Sequence, residues 1–533
     1  MRQIFYFFFF LVSVLYSQTD NWWVFFNDKD CNPLIQLSDK SIERRLEQKI
    51  PFDIHDVSIC QNYIDSLQIE GVTIRQQSRW LNAVSISVNS NIILERLLEF
   101  PFVKIVKPVS KMRKNPKRLP TFDNRFLKPA ERIGSLFSYG DSFNQINMLG
   151  GVDLHNEGFL GENTIIAVFD AGFNQVQTLP IFENLWNNNQ IQDTYDFVDN
   201  DYDVFSGSSH GTMVLSTMGG YMVDSLIGTA PEATYMLFRT EDSGSETLIE
   251  EDNWAAAAEY ADSAGVHIIN SSLGYTILYD DTLNSHSYSD MDGNSTIITN
   301  AADIAASRGI LVVNSAGNSG NSEWYYIGAP ADGDSVLAVG AVNELGDVAS
   351  FSSRGPSYDG RVKPNVCAQG VYAVVADLDS TIRVANGTSF SAPIIAGLAA
   401  CLWQAYPQFN NMEILTAIEQ SAHLFDMPND SLGYGIPNFY QAYLSNLNTD
   451  LELVDNVFIY PNPFQTGFFL RNNYAKDMYV DVFNSMGARV FSSCVTPEEK
   501  EIFVDQLFHM PSGFYFLQIN HSSSFHAIIK LDE

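Results

Sequence analysis

Three short segments of this 533-residue chain carry residue types that could do chemistry together. T-I-I-A-V-F-D-A-G-F sets Asp170 at the end of an apolar run. S-S-H-G-T-M-V sets His210 among small residues at a helix start, and N-G-T-S-F-S-A-P sets Ser389 at the head of an apolar helix. Each has an ordinary reading: the aspartate as a turn cap, the histidine as structural or exposed, the serine as a helix cap. Jointly they meet a stricter demand. A serine hydroxyl is a poor nucleophile near neutral pH and needs an imidazole to take its proton. That imidazole needs a carboxylate to fix its tautomer and stabilise its cation. The three occur in the order Asp, His, Ser, and the serine lacks the G-x-S-x-G elbow of the α/β-hydrolases.

Such side chains must be held by rigid elements. From about Tyr139 to Leu444, strand-like runs rich in Ile and Val (T-I-I-A-V-F-D, T-Y-M-L-F-R-T, G-V-H-I-I-N-S-S-L-G, G-I-L-V-V-N-S-A-G-N, S-V-L-A-V-G-A-V) alternate with helical segments. I-E-E-D-N-W-A-A-A-A-E-Y-A-D-S-A-G and A-A-D-I-A-A-S-R-G are two of those helices. Continuous apolar strands between helices predict a doubly wound α/β domain whose mainly parallel sheet is covered on both faces. In such sheets the active site lies at the carboxyl ends of the strands, which is where Asp170 falls.

With A-V-F-D-A-G-F, H-G-T-M-V, N-S-A-G-N and N-G-T-S-F-S-A-P in this order, the segment resembles the subtilisin-like serine proteases, the subtilases. F-S-S-R-G-P (Phe351–Pro356) and V-K-P-N-V-C-A-Q-G add to the likeness. The resemblance implies Ser389 as nucleophile, His210 as general base and acid, Asp170 as orienting carboxylate and Asn318 as oxyanion donor. A donor of that kind is worth about 3–4 kcal/mol of transition-state stabilisation, a magnitude measured in subtilisin rather than obtained from this chain. The Ser389 N–H would be the second donor. Ser272, Leu273 and Gly274 resemble the edge that pairs with an extended substrate, and Ala316 and Gly317 the wall of the primary specificity pocket. Ala171, where many relatives have Thr or Ser, Gln369, where Pro is usual, and a longer, more acidic segment from Tyr275 to Ala301 depart from the pattern without touching the triad.

The implied activity is a secreted serine endopeptidase acting on protein or peptide substrates without a cofactor. The rival from another class is a non-catalytic surface adhesin on a protease scaffold, and an exopeptidase or dedicated processing protease is the enzymatic alternative. Asp290, Asp292 and Asn294 begin like a calcium loop but lack the distal Glu. That motif and the cluster Asp196–Asp203 are each open to two readings, structural calcium or a solvated acidic loop.

Composition and the flanks agree. A net charge of -33 argues against nucleic acid as a partner. Cys31, Cys60, Cys367, Cys401 and Cys494 are far apart, form no C-x-x-C pair and are too few for a disulfide scaffold. Residues 1–17 read as a signal peptide, its apolar run being too short to span a membrane. Residues 18–110 read as an α+β unit that resembles subtilase propeptides, which fold the protease and occlude its cleft. Residues 111–138 form a basic stretch, either solvated linker or processing site, followed by the catalytic domain at 139–445 and a linker at 446–452. Residues 453–533 read as a small β-sandwich resembling the sorting domains of type IX secretion in Bacteroidetes-type bacteria. That likeness implies the secretion machinery as a partner, and a protein released or held at the cell surface.

Overall fold

Asp20–Phe26 (β1), Val72–Ser78 (β2), Ala83–Val88 (β3) and Val103–Val109 (β4) pair antiparallel in the order β2-β3-β1-β4. Asp39–Glu47 (α1), Gln61–Leu67 (α2) and Asn91–Leu98 (α3) accompany the sheet. Ser38 and Ser90 start α1 and α3 by accepting a backbone N–H with their hydroxyls. Val24, Phe26, Ile64, Leu67, Ile86 and Leu97 meet in a common apolar core. A disulfide joins Cys31 to Cys60 beside it, a pairing that the cysteine spacing did not reveal. The two residues are 29 apart in sequence and are brought together only by the tertiary fold.

Past this region, short helices Phe143–Asn147 (α4) and Gly151–Asn156 (α5) lead into β5 (Ile165–Asp170). Then follow Glu183–Asn187 (α6), Ile191–Asp196 (β6), His210–Gly219 (α7), a hairpin of Tyr221–Met222 (β7) and Leu226–Ile227 (β8), and Thr234–Arg239 (β9). Ile249–Ala264 (α8), Ile268–Ser271 (β10), Ile297–Ser307 (α9), Leu311–Ser315 (β11), Val336–Val342 (β12) and Val366–Gln369 (β13) continue the alternation. A hairpin of Ala373–Ala376 (β14) and Ile382–Ala385 (β15) precedes Thr388–Ala405 (α10) and Asn411–Gln420 (α11).

Strands β5, β6 and β9 to β13 form one parallel sheet in the order β13-β12-β11-β10-β5-β9-β6. Strands β5 and β10 through β13 are buried almost residue by residue, which is why they read as unbroken apolar runs. The chain grows from β5 first toward β9 and β6, then in the opposite sense from β10 to β13. The order therefore reverses between β5 and β10, and the crevice at their carboxyl ends is where such a sheet binds its ligand. Among the described residues α10 alone is long and apolar enough to cross a membrane, yet 89% of that stretch is buried in the protein, as a core helix.

The four-stranded region packs on α8 and α9. Trp80 enters the same apolar cluster as Ala255, Ala258, Ile298 and Ala302. Around it the contact is ionic and buried. Asp262 pairs with Arg44, Arg45 and Arg79, the last two at 2.7 and 2.8 Å. Glu259 accepts from the Ser78 hydroxyl and the Arg79 N–H. Asp252 accepts from Trp23 Nε1 and from Ser85 Oγ at 2.7 Å. Arg308, at the end of α9, reaches Asp53 at 2.8 Å.

These elements fall in the first of two compact units in a computed structural model, the first running to Phe439 and the second from Tyr440. Residues 20–31, 35–109, 135–242, 249–276, 286–446, 457–460, 463–472, 477–496, 501–519 and 525–531 are described. The expected signal peptide and most of the basic stretch lie outside them. The second unit holds Val457–Tyr460 (β16), Phe468–Asn472 (β17), Met478–Asn484 (β18), Arg489–Val495 (β19), Glu501–Val504 (β20), Gly513–Ile519 (β21) and Phe525–Lys530 (β22). Two antiparallel sheets, β16-β17-β20 and β19-β18-β21-β22, enclose Phe464, Leu470, Val480, Val482, Leu517 and Ile528.

Candidate active site

Asp170 ends β5 and is fully buried, and its carboxylate accepts the Ala171 N–H at 2.7 Å. His210 opens α7, where Ser208 Oγ takes its backbone N–H at 3.1 Å. The imidazole Nδ1 lies 2.9 Å from both oxygens of Asp170. An ionised carboxylate can only accept, so this contact places the proton on Nδ1 and leaves Nε2 as the basic nitrogen. Gly211, next in α7, has no room for a side chain: a Cβ there would stand 2.5 Å from the Gly172 carbonyl.

Ser389 is the second residue of α10 and is 8% exposed. The residue before the helix, Gly387, has φ 156° and ψ 150°. Its N–H reaches the Gly370 carbonyl at 2.8 Å, tying the helix start to the loop after β13. Helices α7 and α10 pack together, and the His210 ring lies 5.8 Å from that of Phe390. Proline inside a helix removes one N–H from the ladder. Pro393 thus has nothing to donate to the Ser389 carbonyl, and Ser272 Oγ donates there instead at 2.9 Å. The Ser389 hydroxyl in turn points at the Ser272 carbonyl, 3.4 Å away. The end of β10 and the head of α10 are therefore cross-linked at the serine.

Asn318 follows Gly317, whose φ of 103° is a left-handed backbone favouring glycine. The Asn318 side-chain oxygen accepts the Thr388 N–H at 2.9 Å and the Thr388 hydroxyl at 3.1 Å. Since a backbone N–H can only donate, the amide must present oxygen to Thr388, which turns Nδ2 away from that contact. Ser353 secures the same loop: its N–H donates to Gly317 O at 2.9 Å, and its hydroxyl accepts from Ser319 N at 3.0 Å. Thr388 and Ser353 received no role from the sequence, although both lie in motifs quoted from it. Their adjacency to Asn318 is a property of the fold.

Gly274 is exposed, while Ser272, Leu273 and Ala316 are buried. The Leu273 carbonyl accepts from Asn314 Nδ2 at 3.0 Å, and Tyr275 and Ala329 exchange backbone hydrogen bonds at 2.9 and 3.1 Å. Residues 272–276 thus leave β10 tied to Asn314 and to Ala329. The calcium candidates lie elsewhere. Asp290 accepts the N–H and hydroxyl of Ser287, and Asp292 those of Ser295 together with the Asn294 N–H. Burial alone would raise the Asp292 carboxyl, but these bonds hold it below its usual range. Among the described residues no group of three or more His, Cys, Asp or Glu side chains could hold a metal ion.

Comparison with known proteins agrees with this geometry. A family model described as "Subtilase family" matches residues 161–435. "Peptidase S8 propeptide domain, Bacteroidota" matches residues 21–121, and "Secretion system C-terminal sorting domain" residues 458–531. The chain is 36% identical over 251 residues to a thermophilic serine proteinase of Bacillus sp. (strain AK1), covering 46% of this chain and 55% of that relative. It is 30% identical to a subtilisin of Bacillus pumilus, covering 52% of this chain and 90% of that one. Against subtilisin E of Bacillus subtilis (strain 168) the identity is 26%, over 67% of this chain and 80% of the relative. The crystal structure of fervidolysin from Fervidobacterium pennivorans, described as a keratinolytic enzyme related to subtilisin, shares the fold with a TM-score of 0.56. That match has 20% identity and covers 94% of this chain and 70% of the other. With the subtilase match extending over more than half of its length, the chain belongs to the subtilase family of serine endopeptidases, preceded by a propeptide and followed by a sorting domain that marks it for export.

Proposed function

We propose that this protein hydrolyses peptide bonds through an acyl-enzyme on Ser389, with Asp170, His210 and Asn318 in the roles that their contacts suit. His210 Nε2 takes the Ser389 proton as Oγ attacks the scissile carbonyl. Asp170 keeps the tautomer and offsets the positive charge that then forms on the ring. The tetrahedral oxyanion is held by Asn318 Nδ2 and by the Ser389 N–H in the first turn of α10. His210 next protonates the leaving amine, and a water deprotonated by the same nitrogen releases the acid. An extended substrate pairs its main chain with the edge at 272–274, its side chain entering between Gly274 and Ala316–Gly317. Nucleophile, base and oxyanion donors are all side-chain or backbone groups of this chain, so the reaction calls on no cofactor.

The region from Asp20 to Val109 acts as the chain's own inhibitor until it is cut away, and the last unit hands the enzyme to the type IX secretion machinery. The observation that carries the catalytic reading is the fully buried Asp170, both of whose oxygens lie at 2.9 Å from His210 Nδ1. A fluorophosphonate probe tests it. Mature wild type should label, Ser389→Ala should not, and Ser391→Ala should label as wild type does. A matured wild type that neither labels nor cleaves casein would instead fit a binding protein on a protease scaffold.

A further inference from the structure

The acidic run D-F-V-D-N-D-Y-D, Asp196 to Asp203, stands just before His210 in the chain and has no part in the chemistry above. Two of its four carboxylates, Asp196 and Asp199, face a cation that the protein itself supplies. Arg239 ends β9, between Asp170 on β5 and Asp196 on β6, to which it is matched in register on either side. Its side chain is 8% exposed, and Nη1 donates to Asp196 Oδ2 and to Asp199 Oδ2, each at 2.6 Å. Nη2 lies 3.9 Å from Asp242. The other oxygen of Asp196 accepts the N–H groups of Val198 and Asp199 at 2.8 and 3.0 Å, so one carboxylate fastens the turn to the guanidinium. The Arg239 carbonyl takes the Phe197 N–H at 2.9 Å. Asp201 and Asp203 accept from the N–H groups two residues on, stiffening the rest of the loop.

The far end of this loop lies against the catalytic aspartate's own turn. Gly207 has φ +82° and packs closely: a Cβ there would stand 3.0 Å from the Ala171 carbonyl and 3.4 Å from Arg239 Nε. Ser208 N donates to that same carbonyl at 3.3 Å, and Ser208 Oγ accepts the His210 N–H at 3.1 Å. Arg239 therefore grips the loop at its beginning and underlies it at Gly207, three residues before the base.

We propose that Arg239 is a positioning residue for catalysis, a fixed internal cation that anchors residues 196–208 and so holds the His210 imidazole at Asp170. Asp196 and Asp199 then have a counter-charge built in, where the acidic sequence alone left calcium open. The inference rests on the reading of Asp170, His210 and Ser389 as the triad. Loosening the anchor reduces the fraction of molecules with an aligned base, while the edge at 272–274 still binds substrate.

The test compares mature wild type, Arg239→Met and Arg239→Lys, with peptide hydrolysis and the rate of fluorophosphonate labelling as readouts. Arg239→Met should lose at least tenfold in kcat and in labelling rate with KM changed less than threefold, and Arg239→Lys should recover most of the loss. A folded Arg239→Met with wild-type kcat overturns the proposal, as does an equal loss in Arg239→Lys and Arg239→Met. Should Arg239→Met not fold, Asp199→Ala removes one of the two acceptors at a site whose side chain is 63% exposed. It should lower kcat two- to fivefold, and an unchanged kcat there also overturns the proposal. A chelator that costs wild type as much kcat as Arg239→Met does would assign the role to a bound cation and overturn it too. Wild type that fails to label at all would sink the triad itself, whereas labelled wild type and equally labelled Arg239→Met sink only this inference.

Discussion

The side-chain amide of Asn318, proposed above as an oxyanion donor, is oriented by two bonds, from the N–H and the hydroxyl of Thr388. Such preorganised donors act in the transition state more than in substrate binding, because the oxygen they meet becomes fully negative only there. Asn318→Ala should therefore lower kcat by about 10²–10³-fold, the range known for the same loss in subtilisin, with KM nearly unchanged. Steady-state hydrolysis of a chromogenic peptide checks this; a rise in KM with unaltered kcat would assign Asn318 to ground-state binding. Asp170, His210 and Ser389 were legible in the sequence as candidates because each lies at the end or the beginning of an element in a strongly patterned region, and Asn318 because it falls in a motif resembling the family's. Thr388, Ser353 and Arg239 were not, since each acts on a residue far off in sequence and has an ordinary local reading of its own.

At the scale of elements, the unbroken apolar runs gave away the buried parallel strands, while β2 went unread. Its two fully buried positions are Gln76 and Ser78, which hydrogen-bond to the Phe197 carbonyl and to Glu259, so no apolar alternation marks it. The same physics hid the docking surface of α8. Asp252, Glu259 and Asp262 carry no local sign of a partner in the sequence but are buried against the propeptide's Arg44, Arg45, Arg79, Trp23 and Ser85. Asp252 is the least compensated charge of that arrangement: its hydrogen-bond donors there are neutral and its nearest cation, Arg75, stands 3.9 Å away. Burial pushes its carboxyl up to about 7, with Ser85, Arg75 and Trp23 opposing and Glu251 reinforcing the rise. A free carboxylate titrates near 4, so the docked state binds the proton more tightly. The contribution of Asp252 to docking is then fully present below about pH 4 and is lost as pH rises through about 7, with buried Glu259 shifted in the same direction. In the uncut Ser389→Ala chain the Tm should fall from pH 5 to pH 8, and adding Asp252→Asn should flatten that fall. Parallel profiles for the two chains would show that Asp252 does not carry the linkage.

The whole molecule divides after Phe439 into units that each own a core, the second enclosed by its two antiparallel sheets around Leu470, Val480 and Leu517. Every residue assigned to catalysis, to the oxyanion and to the substrate edge belongs to the first. Stability that arises from apolar burial is local to the core that does the burying, so removing one unit leaves the other's driving force intact. A chain ending at Asn446 should consequently mature and hydrolyse a peptide substrate with kcat/KM within about twofold of the full-length enzyme. In its own host the same truncation should abolish delivery to the surface or medium, because the match to a sorting domain lies wholly in the part removed, at residues 458–531. Cell fractionation with activity measured on each fraction reads both halves of this prediction. A purified truncated enzyme more than tenfold weaker would make the second unit part of the catalytic machinery. Normal surface delivery without it would place the export signal in the first unit.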